Sequence, residues 1–333
     1  MNRTKDFCLV SILMPAKNVE SFIFNCIESI LKQSYLHWEL IIVDDHSEDA
    51  THQIIEEFSK KDIRIKILKN KGNGIIDALK LAYENAKGDY ITRMDADDIM
   101  SKYKIEYLVT ILESDKEINV STGFVEYFTE NGLGEGYKKY ADWLNGLVIN
   151  QNHFSEIYKE CVVPSPCWMM RRVDFERIGG FENNIYPEDY DLCFRMYAHN
   201  MKVKGIQKVL HYWRDYSNRT SRTSENYANN SFLELKMHYF LKLDYDLNKE
   251  LILLGAGKKG KKIAQILIDQ KIPFRWLTNN QKKIGLNIYG VFLGNQSDIT
   301  FSQNNQTIVA IANPTEQKEI STKIENSEVY WFC

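Results

Sequence analysis

The sequence predicts an α/β protein with a large sheet that carries helices on both faces, followed by a smaller α/β domain. Three observations support this fold class. Short apolar runs alternate with longer amphipathic stretches from Cys8 onward, polar residues cluster where the runs end, and a second series of the same kind begins after residue 248. Apolar strands separated by helices are typical of parallel strands that are covered on both sides.

The first series contains seven segments of alternating type. In order they are CLVSILMP, SFIFNCIESILKQS, ELIIVDD, DATHQIIEEFSKK, IRIKILKN, IIDALKLAYENAKG and YITRMDADD. Gly88 is placed to end the third helix, because glycine tolerates the left-handed conformation that closes helices. Ligands of such sheets bind at the carboxyl ends of strands, so residues 15–18, Asp44 with Asp45, and residues 95–98 are candidate binding positions.

The rest of the chain has a less regular pattern. The sequence predicts a helix at KIEYLVTILESD, a strand at INVSTGFVEYF and then an irregular stretch rich in Gly, Tyr and Asn. A helix is expected from Ser224 to about Lys249, and ELILLGAG, KKGKKIAQILIDQ, PFRWLT and TIVAIAN then renew the alternation. We therefore predict a first domain at residues 1–223, a connecting helix at 224–248 and a second domain at 249–333.

Composition and charge argue against several classes of protein. Of 333 residues, 44% are hydrophobic and 26% charged, and the net charge of -3 lacks the basic excess of a nucleic-acid binder. Six cysteines without metal-like spacing, and an N-terminus without a signal-peptide core, indicate a reducing cytoplasmic compartment. No apolar run approaches the roughly 20 residues of a membrane span, so any contact with the inner membrane is expected to be peripheral.

A group of carboxylates follows the strand at Tyr90. In RMDADDIM, Asp95, Asp97 and Asp98 repel one another, so a cation, a helix terminus or water must compensate their charge. In an extended segment Asp95 and Asp97 face one side and Asp98 the other, and two hard oxygen donors suit Mg²⁺ or Mn²⁺ bound with a diphosphate. The alternative is a helix N-cap by Asp98 or Ser101, with the other carboxylates in solvent.

A second carboxylate pair, Asp44 and Asp45, lies at the end of the second strand. The pair either caps the helix that starts near Ala50 or places Asp45 for a hydrogen bond from a nucleotide base.

Four runs occur in a specific order along the chain: VSILMPAKN, SILKQSYLHWELIIVDDHSEDAT, NGIIDALKLAYENAKGDYITRMDADD and MMRRVDFERIGGFENNIYPEDYDLCFRM. Together they resemble the family 2 glycosyltransferases of the GT-A fold, over about residues 8 to 220. The resemblance implies transfer of a sugar from a nucleotide diphosphate sugar, with inversion at the anomeric carbon and with Mn²⁺ or Mg²⁺ as cofactor.

The resemblance also implies roles for single residues. Asp95 and Asp97 match the metal-binding D-x-D motif, and Asp45 matches the aspartate that binds the base. Glu188 and Asp189 match the E-D motif, whose aspartate takes the proton of the attacking hydroxyl, although a simple helix cap is the alternative at this pair. The other nucleotide-sugar contacts that the resemblance implies are Pro15, Ala16, Asn18, Gly74, Arg93, Ala96 and Arg214.

The chain departs from the family pattern at several positions. Tyr216 stands where many relatives have a metal-binding histidine, so a histidine ligand would have to be His211. Tyr103 replaces a frequent proline and Lys80 a frequent asparagine. These departures leave the donor sugar open.

Several arginines are further candidates. Arg171 or Arg172 is expected to point toward the acceptor, in the segment that lines the acceptor side in related enzymes. Arg195 either orients a carboxylate or remains in solvent. In HYWRDYSNRTSR, which resembles the segment that closes over the diphosphate, Arg219 or Arg222 is an alternative to Arg214 for neutralising phosphate.

The second domain opens with a glycine-rich turn. LLGAGKKGKKIA places Gly255, Gly257 and Gly260 in G-x-G-x-x-G spacing between a strand and a helix, as in a dinucleotide-binding fingerprint. The acidic residue expected about 20 positions later is missing, because PFRWLTNN has no carboxylate. The tail resembles the small Rossmann-like domains appended to some bacterial glycosyltransferases. The alternative is a tight turn used only for packing or association.

The resemblance thus implies an enzyme of bacterial surface polysaccharide or lipopolysaccharide assembly. Its expected partners are a nucleotide-sugar donor, with UDP favoured over GDP, and a glycan or lipid-linked glycan acceptor. Two alternatives stay open: a nicotinamide-dependent oxidoreductase that works through the second domain, and a non-catalytic protein that binds sugar nucleotides.

Overall fold

A computed structural model of the chain describes residues 8–129, 135–216, 219, 232–324 and 327–333. The chain divides into two compact units. The first consists of Met1–Ser155 and Val162–Ser217, and the second of Glu156–Cys161 and Asn218–Cys333. Each unit contains one sheet.

The first unit begins with the regular alternation of strands and helices that the sequence predicts, and this alternation is confirmed as far as β4. In chain order its elements are β1 (Val10–Ala16), α1 (Ile23–Leu31), β2 (Trp38–Asp44), α2 (Thr51–Lys61), β3 (Ile65–Lys69), α3 (Ile75–Glu84), β4 (Tyr90–Arg93), β5 (Ile99–Met100), α4 (Lys104–Ser114), β6 (Ile118–Phe128), α5 (Glu135–Asn150), β7 (Trp168–Arg171), α6 (Arg172–Arg177), α7 (Glu188–Ala198) and β8 (Lys202–Arg214).

The sheet of the first unit is mixed rather than fully parallel. Its strand order is β3-β2-β1-β4-β7-β6-β8-β5. Strand β1 pairs in parallel with β2 and β4, and β2 with β3, as the sequence predicts. Strand β7 runs antiparallel to β4 and β6, and β5 runs antiparallel to β8. The prediction of parallel strands is confirmed for β1 to β4, where helices connect successive strands. Parallel neighbours need such crossovers, whereas antiparallel neighbours do not.

Helix α1 shows how the parallel part of the sheet is covered. Ile23, Cys26, Ile27 and Ile30 are fully buried and follow the spacing of one helix face. Each buried isoleucine contributes roughly 1.5–3 kcal/mol to stability. This stripe fixes α1 with its first residues near the carboxyl ends of the strands, where the candidate site lies.

Helix α5 is a correction to the sequence prediction, which expected irregular structure there. Ala141, Leu144, Leu147 and Val148 are buried, and Asn145 bonds both the N (2.9 Å) and the O (3.0 Å) of Val125 in β6. The many Gly, Tyr and Asn residues of this stretch obscure the apolar period, and the packing against β6 overrides their weak helix preference.

The second unit contains α8 (Phe232–Leu243), β9 (Glu250–Leu254), α9 (Lys258–Asp269), β10 (Arg275–Thr278), β11 (Asn287–Ile288), β12 (Val291–Asn295), β13 (Asn305–Val309), α10 (Pro314–Ser321) and β14 (Glu328–Trp331). The strand order is β11-β12-β10-β9-β13-β14, and only β11 pairs in antiparallel fashion among the described strands of this sheet. Its apolar core includes Ile252, Leu277 and Val309.

The predicted connecting helix is shorter than expected. It ends at Leu243 rather than near residue 248, because the backbone N–H groups of Asp244 and Tyr245 both bond to Phe240 O and close its last turn. Residues 224–231 of the prediction lie outside the described residues. Helix α8 belongs to the second compact unit.

Two further findings concern membrane spans and disulfides. None of the helices in the described ranges has the length and apolar character needed to cross a bilayer. All six cysteines lie in the described part of the chain, and no disulfide joins them.

Candidate active site

Asp45 follows β2 and ties together two neighbouring segments. Its Oδ1 accepts hydrogen bonds from Asn70 Nδ2 (2.6 Å) and Gly74 N (3.1 Å), and its Oδ2 accepts from Gly74 N (3.1 Å) and Lys17 Nζ (3.3 Å). Gly74 has a φ of 87° and directly precedes α3. Asp45 therefore caps α3, and the expectation that it caps the helix starting near Ala50 is wrong.

Asp44 and the loop after β1 lie beside Asp45. Asp44 accepts from Ser47 N (3.1 Å) and lies 3.0 Å from His52 Nδ1, while Thr51 N at the start of α2 bonds to Asp49. Asp44 is thus not the cap of α2 either.

Pro15 and Ala16 end β1, and the loop that follows them is held to the loop after β2. Ala16 O accepts from Asp45 N at 2.8 Å. Asn18 adopts a positive φ of 50°, donates its N–H to Ser47 Oγ and accepts from Glu48 N. These bonds bring the candidate nucleotide-binding residues of two strand ends together.

Residues 95–98 form a turn rather than an extended segment, since Asp98 N donates to Asp95 O at 3.3 Å. Asp95 and Asp97 are half-buried, whereas Ala96 and Asp98 are buried. Asp98 differs from the other two in burial and in partner, since it bonds to the buried His211. Tyr216 donates its hydroxyl to Asp97 Oδ2 at 3.0 Å, so it holds the second aspartate of the motif.

His211 does not lie among the candidate metal ligands. It is fully buried, with Nε2 at 2.9 Å from Asp98 Oδ2 and Nδ1 at 3.2 Å from Lys104 Nζ, so both ring nitrogens are engaged. The N-cap interpretation of Asp98 and Ser101 is also wrong, because α4 begins at Lys104 and the residue before it, Tyr103, makes no side-chain cap. Among the described residues, no group of three or more His, Cys, Asp or Glu side chains could hold a metal ion by itself.

Arg93 joins the two carboxylate motifs. Its Nε donates to Asp95 Oδ1 at 2.8 Å and its Nη1 donates to Glu188 Oε1 at 2.7 Å. The Arg93 side chain is only 6% exposed, compared with 7% for Glu188 and 20% for Asp95. Burial alone would lower the pKa of Arg93, but the carboxylates of Asp95, Glu188 and Asp189 raise it, so the guanidinium stays charged.

Asp189 lies in the first turn of α7 and differs electrostatically from Glu188. Burial, and next the charge of Glu188, raise the pKa of Asp189 to about 7, although Arg93 acts in the opposite direction. As a whole residue Asp189 is half-buried. Pro187 is the N-cap residue of α7, so neither carboxylate occupies that position, but Asp189 Oδ1 accepts from Tyr190 N (2.8 Å) in the first turn. The cap interpretation therefore holds in part for Asp189.

Arg195 orients a carboxylate and is not in solvent. It is buried, and it donates from Nε to Asp191 Oδ2 at 2.8 Å and from Nη1 to Ile178 O at 2.6 Å.

Arg171 and Arg172 do not reach the candidate site, so the expectation that one of them points toward the acceptor is wrong. Arg171 pairs with Tyr90 at the amino end of β4, and its Nη1 donates to Ile118 O at 2.6 Å. Arg172 donates from Nε to Gly88 O at 2.8 Å. Because β7 is antiparallel to β4, the end of β7 lies beside the start of β4, away from Asp95.

Arg214 lies at the end of β8 and contacts the D-x-D turn. Its Nε donates to Asp97 O at 2.8 Å, and its guanidinium lies over the rings of Phe22 and Phe128. It also lines a cavity of about 540 Å³ between α1 and β5 that none of the other predicted nucleotide-binding residues line. Arg222 lies outside the described residues, and the role expected of Arg219 stays a prediction.

Three residues hold the site together: Asn70 was not among the predicted site residues, and the contacts of Tyr216 and Arg93 were not predicted. Asn70 holds Asp45, Tyr216 holds Asp97, and Arg93 reaches Glu188 as well as the D-x-D motif. The position of Arg93 just before the motif was the only signal in the sequence, and nothing in it indicated a contact with a residue 95 positions away.

A mixed sheet whose parallel strands carry carboxylates and a glycine at their carboxyl edge defines the fold class as α/β of GT-A type, and solved structures bear out this fold. The Staphylococcus aureus protein TarS, residues 1–349 in complex with UDP-GlcNAc, superimposes with a TM-score of 0.53 at 20% identity, covering 72% of this chain and 68% of that one. The mannosyltransferase PcManGT from Pyrobaculum calidifontis, in complex with GDP-Man and Mn²⁺, has a TM-score of 0.52 at 17% identity and covers 70% of this chain and 63% of its own. At these identities the likeness shows the fold alone.

Sequence relatives identify the family. The family model for glycosyl transferase family 2 matches residues 11–179. An uncharacterized glycosyltransferase of Haemophilus influenzae is 31% identical over 246 residues, which are 72% of this chain and 75% of the relative. Glycosyltransferase GlyG of Streptococcus pneumoniae serotype 4 is 38% identical over 223 residues, 65% of this chain and 73% of its own. The chain belongs to glycosyl transferase family 2 and is an enzyme of that family.

Proposed function

We propose that the protein transfers a sugar from a nucleotide diphosphate sugar to an acceptor hydroxyl, with inversion and with a divalent cation. The observation that carries the proposal is the Arg93 bridge, which holds Asp95 of the D-x-D turn and Glu188 beside Asp189 within hydrogen-bond distance of one guanidinium. One catalytic centre then contains both the group that binds the donor and the group that accepts a proton.

Asp95 and Asp97 fit Mn²⁺ or Mg²⁺. Both are half-buried carboxylates on one turn, and oxygen ligands are those that these cations prefer. With no third protein ligand among the described side chains, the remaining positions fall to water and to the diphosphate of the donor. When bound, the cation stabilises the negative charge that develops on the departing nucleoside diphosphate.

Asp189 is the proposed general base. The acceptor oxygen bonds to the anomeric carbon as the bond from that carbon to the diphosphate oxygen breaks, and the acceptor proton passes to Asp189. The bonding electrons leave with the nucleoside diphosphate. A pKa of about 7 suits a base that must take up a proton near neutral pH, and Glu188, held by Arg93, positions it.

The donor is proposed to bind along the edge formed by Pro15, Ala16, Asn18, Asp45 and Gly74. Complexes of the structural neighbours with UDP-GlcNAc and with GDP-Man and Mn²⁺ support a nucleotide-sugar donor, and we favour UDP. Asp45 accepts from three donors, Asn70 Nδ2, the Gly74 N–H that its two oxygens share, and Lys17 Nζ, so both of its oxygens are already in use. A base N–H therefore reaches Asp45 by displacing Lys17, whose contact is the longest and whose side chain is 55% exposed.

The acceptor is proposed to be a glycan or lipid-linked glycan of bacterial surface polysaccharide synthesis, and the transferred sugar a hexose. The proposed location is the cytoplasm, with peripheral contact at the inner membrane. The cysteines without disulfides and the described helices, none able to span a bilayer, are compatible with this location. No nucleic-acid partner is proposed, since the net charge is -3.

A donor panel tests the proposal. The purified protein is incubated with UDP-sugars and GDP-sugars in the presence of Mn²⁺, Mg²⁺ or chelator, and nucleoside diphosphate release is measured. We expect release from one UDP-sugar that chelator abolishes. If chelator leaves the release unchanged, the proposed requirement for a divalent cation is wrong. Donor binding without any release would favour a non-catalytic sugar-nucleotide-binding protein.

The oxidoreductase alternative has its own readout. A protein that worked through the glycine-rich turn of the second unit would change the absorbance of a nicotinamide cofactor with a suitable substrate. The residues that follow β10 remain without a carboxylate for the ribose, and Thr278 Oγ1 accepts instead from Asn280 N. Because that carboxylate is missing, we propose no dehydrogenase activity for the second unit.

A further inference from the structure

Three buried ionisable side chains lie next to the proposed metal-binding turn. Asp98, Lys104 and His211 are each 0% exposed. Asp98 Oδ2 lies 2.9 Å from His211 Nε2, and His211 Nδ1 lies 3.2 Å from Lys104 Nζ. The proposed proton transfer uses none of the three, and neither does the proposed ligand pair Asp95 and Asp97.

The other partners of Asp98 and Lys104 fix the direction of the hydrogen bonds among these three side chains. Lys104 Nζ donates to Pro166 O at 2.5 Å, and Asp98 Oδ1 accepts from Arg214 N at 2.8 Å. An ammonium group has only donors, so Lys104 also donates to His211 Nδ1, and the hydrogen on Nε2 goes to Asp98. His211 thus connects the buried side chain of Lys104 with the buried carboxylate of Asp98.

The three side chains of Asp98, His211 and Lys104 are linked to the turn that carries Asp97. Arg214, whose N–H bonds to Asp98, also donates from Nε to Asp97 O at 2.8 Å. Two residues further along, Tyr216 donates to Asp97 Oδ2. The end of β8 and the residues after it therefore hold Asp97 at its carbonyl and at its carboxylate. Asp98 is bound by two residues of β8, the ring of His211 and the backbone N–H of Arg214.

We propose that Lys104 and His211 are positioning residues for the metal-binding turn and act through Asp98. Removing the ammonium leaves the buried carboxylate of Asp98 without its distant counter-charge and His211 Nδ1 without a donor, a state that buried groups do not tolerate without moving. The turn then shifts, and Asp97 no longer meets a cation held with a nucleoside diphosphate. The inference rests on the proposed function.

The test measures metal binding in the full-length protein. Free Mn²⁺ is followed by electron paramagnetic resonance in the presence of UDP, and UDP binding with chelator is measured separately by calorimetry. Lys104→Met removes the ammonium but keeps the apolar stem, and Lys104→Arg keeps a charged donor. The matched control is Lys236→Met, since Lys236 is also buried and donates to a backbone carbonyl, Lys159 O at 2.7 Å, within the second unit.

In Lys104→Met we expect the affinity for Mn²⁺ in the presence of UDP to fall by about 10–100-fold, the usual effect of losing a group that orients a metal ligand. UDP binding in chelator should not change, Lys104→Arg should restore most of the Mn²⁺ affinity, and Lys236→Met should leave Mn²⁺ binding at the wild-type level. Wild-type Mn²⁺ affinity in Lys104→Met would overturn the inference, as would an equal loss in Lys236→Met.

A second variant serves if Lys104→Met does not fold. His211→Gln retains an N–H for Asp98 but removes the ring that contacts Lys104, and it should weaken Mn²⁺ binding in the same way. Unchanged Mn²⁺ binding in this variant would overturn the inference. If the wild-type protein binds UDP and Mn²⁺ while the variants match it, the positioning role alone fails. If the wild-type protein binds neither, the proposed function fails and this inference with it.

Discussion

The two sheets of the protein share a strand order but differ in what their carboxyl edges carry. The first contains the order β3-β2-β1-β4 and the second the order β12-β10-β9-β13, so each begins from the same arrangement of parallel strands. Asp45 and Asp95 follow strands of the first sheet, whereas Gly255 and Asn279 follow strands of the second. Strand order creates an edge where loops converge, and the residues at that edge decide its chemistry.

The glycines at the carboxyl edges of the two sheets also differ in their surroundings. Gly74 has open space where a side chain would be and is held by the carboxylate of Asp45. A Cβ on Gly260 would lie 2.1 Å from Gly255 O, which also accepts from Trp276 Nε1. The glycine-rich turn between β9 and α9 is therefore tightly packed against its own backbone. This supports the interpretation that its G-x-G-x-x-G spacing serves packing.

The largest expected effect is on transfer in Asp189→Asn. The substitution keeps shape and hydrogen bonding but removes the proton acceptor, so transfer should fall by roughly 10²–10⁴-fold while donor and Mn²⁺ affinity stay the same. Transfer rates and calorimetric affinities of both proteins measure this. A near wild-type rate would move the role to Glu188 or Asp191, each of which is bound by an arginine, Arg93 or Arg195.

The raised pKa of Asp189 also predicts a pH dependence of stability. Because the folded-state pKa of about 7 exceeds the ordinary value of 3.8, the stability that the protonated carboxyl contributes is complete below pH 3.8 and is lost as pH rises through about 7. Asparagine has no such loss. The difference in Tm between Asp189→Asn and wild type should therefore be larger at about pH 8 than at about pH 5, and a constant difference would contradict this.

A second test of the contrast compares one carboxylate from each edge. Asp97→Ala removes a proposed cation ligand, so the affinity for Mn²⁺ in the presence of UDP should fall by about 100-fold. This loss is at least as large as the loss expected when a residue that only orients a metal ligand is removed. Asp298→Ala removes an exposed carboxylate in the turn after β12 and should leave that affinity unchanged. Titration calorimetry with and without chelator measures the Mn²⁺ affinity of both variants. Equal affinities would contradict the prediction that only the carboxyl edge of the first sheet binds the cation.

The glycine turn of the second unit allows a matched pair of variants. Gly260→Ala brings Cβ against the backbone at Gly255 and should lower the free energy of unfolding by about 1–3 kcal/mol. Gly257→Ala meets no atom within 4 Å and has a negative φ of -79°, so its loss should be below about 1 kcal/mol. Urea unfolding measures both. Similar losses in the two proteins would argue against a packing role.

The smallest expected effect concerns the base pocket. Lys17→Met removes the exposed ion pair that competes for Asp45 Oδ2, so UDP affinity should rise by at most about fivefold, in line with the 0–1 kcal/mol of surface pairs. Lys17→Arg retains the competitor and serves as the control. Weaker UDP binding in Lys17→Met would show instead that Lys17 contacts the nucleotide.

Local periodicity let the sequence predict much of the fold. The alternation from β1 to β4, strand β6, helix α4 and the strands and helices around the glycine turn follow from apolar spacing and from Gly255 after β9. The prediction that Gly88 ends the third helix is wrong, because α3 ends at Glu84 with Asn85 as its C-cap and Gly88 has no left-handed φ. Helix α5 escaped this reasoning because its residues have weak intrinsic preferences and become helical through packing on β6. The antiparallel strands escaped it because periodicity contains no information about strand direction.

The sequence by itself determined the types of residue at the site, because the carboxylates of DADD and PED and the loop residues Pro15 to Asn18 stand in motifs that are local in the chain. Only the tertiary structure decided their partners. Asp45 caps α3, Arg93 reaches Glu188, and Lys104 reaches a histidine 107 positions away. A buried charge accepts whichever partner the packing of distant strands brings within about 3 Å, and no local pattern in the chain encodes that choice.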